Sequence, residues 1–223
     1  VKSNLVIFSK DKFNKYMRKN IDHGGIGVYC DKGIIYFEHN SKCLPVARVD
    51  MIGISLRGKL VHNVENALAA CGTCAALNVD MKTIKKGLMS FFGDEEQNPG
   101  RFNIYNVNGA TVILDYGHNI EGYKAVIKGA RQLKHKRLIG VIGVPGDRSD
   151  KSIMEIGRVS GESFDYLYIK EDSDRRGRKK GEVAELLNKG IMSSGYESET
   201  VEIILDEKSA FKKAVESSKH GDL

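Results

Sequence analysis

Apolar positions along the chain change their period several times, and each change marks an element. Leu5 to Phe8 reads as a short strand, and Lys10 to Asn20 as a helix or turn. Two alternating runs, Gly27 to Cys30 and Gly33 to Phe37, flank Asp31-Lys32 and predict a hairpin. Val46 to Ile54 is extended. From Asn63 to Leu77 the period lengthens to that of a helix, with Val64, Leu68, Cys71 and Ala75 on one stripe. A second helix is predicted over Met81 to Phe92, capped by Asp80 and carrying Ile84, Leu88 and Phe91 on one side.

The stretch Gly93 to Gly100 is polar and contains a proline and two glycines, so it is the expected domain boundary. Beyond it strand and helix alternate. Phe102 to Val107 and Thr111 to Asp115 are strands joined across Asn108-Gly109, a pair suited to a tight turn because both tolerate positive φ. A helix follows over 121–133, then a strand over 138–144, a helix over 150–163, a strand over 166–170, a helix over 181–193, a strand over 200–205 and a helix over 207–218. Repeated units of this size predict an α/β fold with a mostly parallel sheet covered on both faces. Ligands bind beyond the carboxyl ends of such strands. That rule singles out Asp115-Tyr-Gly-His118-Asn119, Pro145-Gly-Asp147-Arg148 and Glu171-Asp172-Ser-Asp174-Arg175-Arg176, each of which follows a strand.

Composition narrows the field. With 41% hydrophobic residues over 223 positions, the chain can bury one or two cores, and two domains are favoured. The formal charge of +6 suits an anionic ligand but is common on ordinary proteins. Basic residues are spread out and no base-stacking motif occurs, so nucleic acid is not expected as a partner. No apolar run approaches the ~20 residues that cross a bilayer, and no signal peptide is evident. A cytoplasmic protein without a membrane partner is therefore expected, and the chain is expected to begin inside a longer one. Cys71-Gly-Thr-Cys74 has the spacing of a redox or metal pair, but it falls in a small-residue helical run and reads better as buried thiols.

Several polar residues have alternative readings. Asn63 could cap a helix, or it could join Asn66 on the same helical side, where two carboxamides can meet the edge of a purine. Arg101 follows a Pro-Gly turn that could hold its guanidinium against phosphate. Asp115 at a strand end can accept from two ribose hydroxyls, with His118 and Asn119 lining the same pocket; the alternatives are a loop histidine and a capping Asn119. A zinc site from Asp115, His118 and His62 would need His62 nearby, which nothing in the sequence arranges. The glycines from Gly140 to Gly146 fit neither a phosphate loop nor a dinucleotide fingerprint.

Five blocks in order carry a resemblance: Val64 to Ala70, Asn98-Pro-Gly-Arg-Phe-Asn103, Asp115 to Tyr123, Gly140 to Arg148, and Glu171 to Arg178. In these the chain resembles the Mur ligase family, and most closely its cyanophycin-synthesising branch. The resemblance implies that residues 1–93 are the last part of a central ATPase domain. It implies that 94–223 form a Rossmann-like C-terminal domain whose final strand would lie beyond Leu223. It further implies an ATP-dependent carboxylate–amine ligase that adds arginine to the β-carboxyl of a poly-aspartate primer, with Mg²⁺ ligands and the phosphate loop upstream of Val1. The fragment alone is then expected to be inactive.

By the same resemblance Asn63 and Asn66 would face adenine, Arg101 the phosphates and Asp115 the ribose, with His118 and Asn119 beside it. The loops carrying Asp147, Arg148, Asp172, Asp174, Arg175 and Arg176 would bind the amino-acid substrate. Charge complementarity assigns Asp172 and Asp174 to a guanidinium, and Arg175 or Arg176 to an α-carboxylate. The chain departs from the family pattern at Gly117, where alanine is usual, and at Ile120, where proline is usual. A folylpolyglutamate or peptidoglycan-precursor ligase, or a non-catalytic nucleotide-binding module, are the competing readings. A homo-oligomer is admitted for the full-length protein.

Overall fold

The computed structural model describes residues 5–223, which divide into two compact units between Pro99 and Gly100. The division falls inside the polar stretch singled out above.

The first unit contains a four-stranded sheet in the order β1 (Val6–Ser9), β2 (Ile26–Asp31), β3 (Ile34–His39) and β4 (Lys42–Arg48). β1 lies parallel to β2, and the other pairings are antiparallel. Helix α1 (Lys15–Asp22) begins five residues later than its apolar pattern suggests. Asn14 supplies the reason: its carboxamide accepts from the amides of Tyr16 and Met17, while Asp11 ties down Phe13. The extended run expected over 46–54 also shifts. Strand β4 starts at Lys42 and ends at Arg48, and Val49–Met51 and Gly53–Ser55 are single 3-10 turns. Pro45 sits in β4, an outer strand of the sheet, opposite a register shift at Ile35/Tyr36, the kind of position to which proline is confined in sheets. The sheet packs on helix α2 (Val61–Ala76), with α3 (Met81–Ser90) beside it, through Val28, Ile35, Val46, Ile52, Leu68, Cys71 and Ile84. Asp80 caps α3 as expected.

In the second unit β5 (Asn103–Val107) and β6 (Ala110–Leu114) form the expected hairpin, with φ of +53° at Asn108 and +81° at Gly109. After α4 (Ile120–Ala130) come β7 (Ile139–Ile142), α5 (Asp150–Gly161), β8 (Tyr166–Ile169), α6 (Glu182–Ser193), β9 (Val201–Ile203) and α7 (Glu207–Ser217). Strands β7, β8 and β9 make a parallel sheet in that order. Side chains alternate across it: Leu167 and Ile169 pack with α5 and α6, whereas Tyr166 and Tyr168 face the side holding Ala210 and Ala214 of α7. Both faces are therefore covered.

The hairpin does not hydrogen-bond directly to β7 among the described residues; the tail Gly221–Leu223 lies between them. On one side Thr111 donates to Asp222. On the other Leu223 donates to Arg137, and Ile139 donates back to Leu223. This is a parallel bridge that holds three otherwise isolated residues. Asp222 is 3% exposed, and its carboxylate accepts from Arg137 at 2.5 and 3.1 Å and from the Lys219 amide at 2.8 Å. The Arg137 bond holds this carboxyl below the ordinary aspartate range.

Two expectations follow. Asp222→Asn should lower stability by about 2 kcal/mol in urea unfolding, the usual value of a charge-assisted bond. Because the folded pKa is depressed, the loss should be full above about pH 4. It should shrink as pH falls through the folded value of Asp222, so a pH-independent difference would contradict the assignment. Thiol titration should find Cys43, which is exposed, reacting first; Cys71 is buried and pushed up to about 12 by burial and by Cys74, so it should react only on unfolding.

Candidate functional site

In the first unit α2 starts at Val61, two residues before the sequence pattern suggests, so Asn63 lies within the first turn and does not cap it. Its side chain, 6% exposed, donates to the Ile54 carbonyl at 2.9 Å and accepts from Asn66 at 3.1 Å. The two carboxamides thus form the expected pair, with Asn63 turned inward and Asn66 exposed. The Asn66 side chain is thus oriented by its neighbour on an exposed part of the helix.

In the second unit the carboxyl end of β6 is tied to the Pro99-Gly100 turn. The Asp115 carboxylate accepts from the Phe102 amide at 3.0 Å, and Tyr116 donates to the Gly100 carbonyl at 2.8 Å. These bonds place Arg101 beside Asp115, with its guanidinium 5.9 Å from the Tyr116 ring centre. His118 follows in the same turn. Its Nδ1 lies 3.2 Å from the Tyr116 carbonyl and its Nε2 lies 3.4 Å from the Asn119 amide nitrogen. Asn119 caps α4 by accepting from Gly122 at 2.8 Å, which confirms the capping alternative for that residue. Ile120 is consequently the first residue of the helix, the position proline tolerates best, so its departure from the family pattern leaves the turn intact.

The loops after β7 and β8 are bound to each other. Arg176 pairs with Asp147 at 2.6 Å, and this bond holds the aspartate below its ordinary range. Arg178 reaches the carbonyls of Gly146 and Arg148 and the carboxylates of Asp150 and Glu182, all within 2.8 Å. A side chain at Gly146 would collide with the Arg175 carbonyl, so only glycine permits this close approach. Arg148 places its Nε out of contact with solvent and without a hydrogen-bond partner, 3.9 Å from Asp147.

At the end of β8, side chains alternate between the flanking helices. Lys170 bonds Asp172 at 2.6 Å and Glu207 of α7 at 3.1 Å. Burial lowers its pKa, but the two carboxylates more than offset this and the net direction is upward. Glu171 points instead to α6. Behind these loops Tyr123 donates its hydroxyl to the Gly143 carbonyl at 2.7 Å and accepts from the Gly143 amide at 3.3 Å. Burial pushes this phenol up, so it remains a neutral strut between α4 and β7.

The three loops open on one cleft of about 1480 Å³, walled by β6 and β7. Asp115, His118, Asp172, Asp174, Arg175 and Arg176 all line it. Arg101, Asn119, Asp147 and Arg148 are outside its lining. Sequence reasoning missed Lys170 and Glu207, and it named Tyr123, Glu171 and Arg178 within its motifs without giving them a role of their own. Their partners are distant in the chain, and the one available signal was the alternation of charge directly after Ile169. Among the described residues no group of three His, Cys, Asp or Glu side chains could hold a metal ion.

Comparison with known proteins shows the family and the fold. Residues 100–223 match the model of the Mur ligase glutamate ligase domain. Over 216 residues the chain is 34% identical to a cyanophycin synthetase of Synechocystis sp., covering 97% of this chain and 24% of that protein. It is 30% identical over 177 residues to the UDP-N-acetylmuramoyl-L-alanyl-D-glutamate–2,6-diaminopimelate ligase of Clostridium botulinum, covering 78% and 34% of the two chains. The crystal structure of a murein peptide ligase from Psychrobacter arcticus shares the fold at a TM-score of 0.62 and 17% identity, covering all of this chain and 48% of the other. The chain thus spans about a quarter of the length of its cyanophycin synthetase relative. It belongs to the Mur ligase family.

Proposed function

We propose that this chain is the C-terminal part of an ATP-dependent ligase of the cyanophycin synthetase type, joining the α-amino group of arginine to the β-carboxyl of an aspartate polymer. The observation that carries the reading is the 34% identity to cyanophycin synthetase over nearly the whole chain. The cleft supports it, because it gathers Asp172, Asp174, Arg175 and Arg176 at the carboxyl edge of the sheet. In this reading residues 1–93 belong to the central ATPase domain and 94–223 form the C-terminal domain.

In the reaction, a primer carboxylate oxygen attacks the γ-phosphorus of ATP and the bond to the bridging oxygen breaks, releasing ADP. The amine nitrogen then attacks the acyl carbon, the carbon–oxygen bond to phosphate breaks, and the nitrogen loses its proton. Phosphoryl transfer of this kind depends on positioning and on neutralising charge, which bound Mg²⁺ assists. Arg101, exposed on its turn, has the donors to meet phosphate oxygens. Asp115 is already oriented by the Phe102 amide and can accept from ribose hydroxyls. The carboxamide of the exposed Asn66 suits the edge of adenine.

For the amine substrate the internal pairing discriminates among candidates. Arg176 is held by Asp147, whereas Arg175 has no side-chain partner among the described residues and lines the cleft. Arg175 is therefore assigned to the substrate α-carboxylate, and Asp174 to its guanidinium with Asp172 assisting. Lys170 already neutralises part of the Asp172 charge. Identity to a diaminopimelate ligase favours one second reading, in which the same residues receive a different amino acid.

The decisive experiment is ligation by the full-length parent with primer, ATP and aspartate, offering arginine, lysine and diaminopimelate in parallel. Arginine should be incorporated in preference; preferential diaminopimelate transfer would favour the second reading. In that enzyme Asp174→Asn should raise the KM for arginine roughly ten-fold, and Asp172→Asn less. Unchanged arginine affinity in both would reject the assignment. Residues 1–223 contain no Gly-Lys-Ser/Thr sequence, so the fragment alone should release no ADP from ATP in a coupled assay.

A further inference from the structure

Glu171 is 7% exposed, and among the described residues its carboxylate has no cationic partner; it is bonded by backbone amides at the start of helix α6. One carboxylate oxygen accepts from the Gly181 amide at 2.9 Å. The other accepts from Val183 at 3.1 Å and Ala184 at 3.2 Å. These amides belong to the start of α6, where the capping residue is Gly181, with φ of +87° and no side chain to offer. Such a helix start presents open donors and the positive end of a dipole, and it is a ready receptor for an anion. Here that receptor is filled from within, by a carboxylate ten residues away in sequence.

The arrangement has two consequences. First, Glu171 joins the end of β8 to the start of α6, and so closes the segment 172–180 into a loop with both ends fixed. Arg178 fixes the same loop from its other side through the carbonyls of Gly146 and Arg148. Second, the amides of α6 cannot receive a carboxylate or phosphate of a ligand in the adjoining cleft. An anionic group entering that cleft must be met by side chains of the loop.

We infer that Glu171 is a positioning residue for amino-acid selection: an internal anion that occupies the α6 amide receptor, holds the 172–180 loop in its binding shape, and leaves recognition of the substrate carboxylate to the loop arginines. The selective part of this inference rests on the proposed ligase activity, while the anchoring part concerns this chain alone.

Two measurements test it. In the chain of 223 residues, amide hydrogen exchange should accelerate roughly ten-fold or more at Gly181, Val183 and Ala184 in Glu171→Ala, with the β8 amides of Leu167 and Ile169 unchanged. Glu171→Gln keeps one acceptor oxygen and should recover part of the protection. Unaltered exchange at the three amides, or equal acceleration at Leu167 and Ile169, would overturn the anchoring. In the full-length parent, Glu171→Gln should raise the KM for the amine at least about five-fold, with kcat and the KM for ATP within about two-fold of the parent. An unchanged amine KM alongside accelerated exchange would leave Glu171 a helix anchor only and would overturn the selective role. A parent enzyme that forms no amine-dependent product would sink the ligase reading, and the exchange experiment would still decide the anchoring.

Discussion

Parallel pairing of β7, β8 and β9 is the constraint on which the second unit depends. Parallel strands end on the same edge, so the loops after β7 and β8 open side by side although Pro145 and Glu171 are 26 positions apart in the chain. The ladder alone would leave those loops as unconnected polar segments. They become one surface because Gly146 lets the two backbones touch and because Arg178 inserts between them. Cleft shape is therefore set first by backbone topology, and only then by side-chain chemistry.

Internal charge pairing decides which groups face a ligand. From sequence, Asp172 and Asp174 share one expected role, Arg175 and Arg176 compete for another, and Asp147 and Arg148 are placed only in the binding loops. In the structure Asp147 and Arg176 satisfy each other, and Asp172 shares Lys170 with Glu207. An exposed ion pair of this kind contributes little to stability. Its larger effect is on recognition, since a ligand group must displace an existing partner or meet a side chain that has none. Among the described residues Arg175 is such a side chain.

Local features were legible in the sequence. Asp80 and Asn119 cap their helices because a short acceptor three residues before an amide is a purely local geometry. The Asn108-Gly109 turn and the order of strands and helices from Asn103 onward follow from period and turn chemistry in the same way. What was not legible required partners far apart in the chain. Glu171 gives no sign in its neighbours that it will cap a helix that begins at Glu182. Asn63 looked like a cap because the helix pattern gained strength there, but Val61 and His62 had already entered the first turn. The start of α1 was misplaced for the opposite reason: Lys10 to Phe13 continues a helical-looking pattern, yet Asp11 and Asn14 turn their side chains onto the backbone and delay the helix.

The cluster from Asp115 to Tyr123 shows how one short segment serves stability and chemistry together. Asn119 caps α4 and touches His118, so the histidine ring is oriented by the helix start and by the Tyr116 carbonyl at once. Four residues beyond Asn119, Tyr123 bonds both the amide and the carbonyl of Gly143, joining this helix to the end of β7. A substituent at Gly117 would meet the Tyr123 ring at ordinary contact distance, 3.4 Å, so an alanine there could be accepted without disturbing the strut. The position of Asp115 is thus held by the Phe102 amide on one side and a helix-anchored turn on the other. A carboxylate restrained in that way loses little conformational freedom when it accepts hydrogen bonds from a ligand, which favours binding without any change in its intrinsic strength as an acceptor.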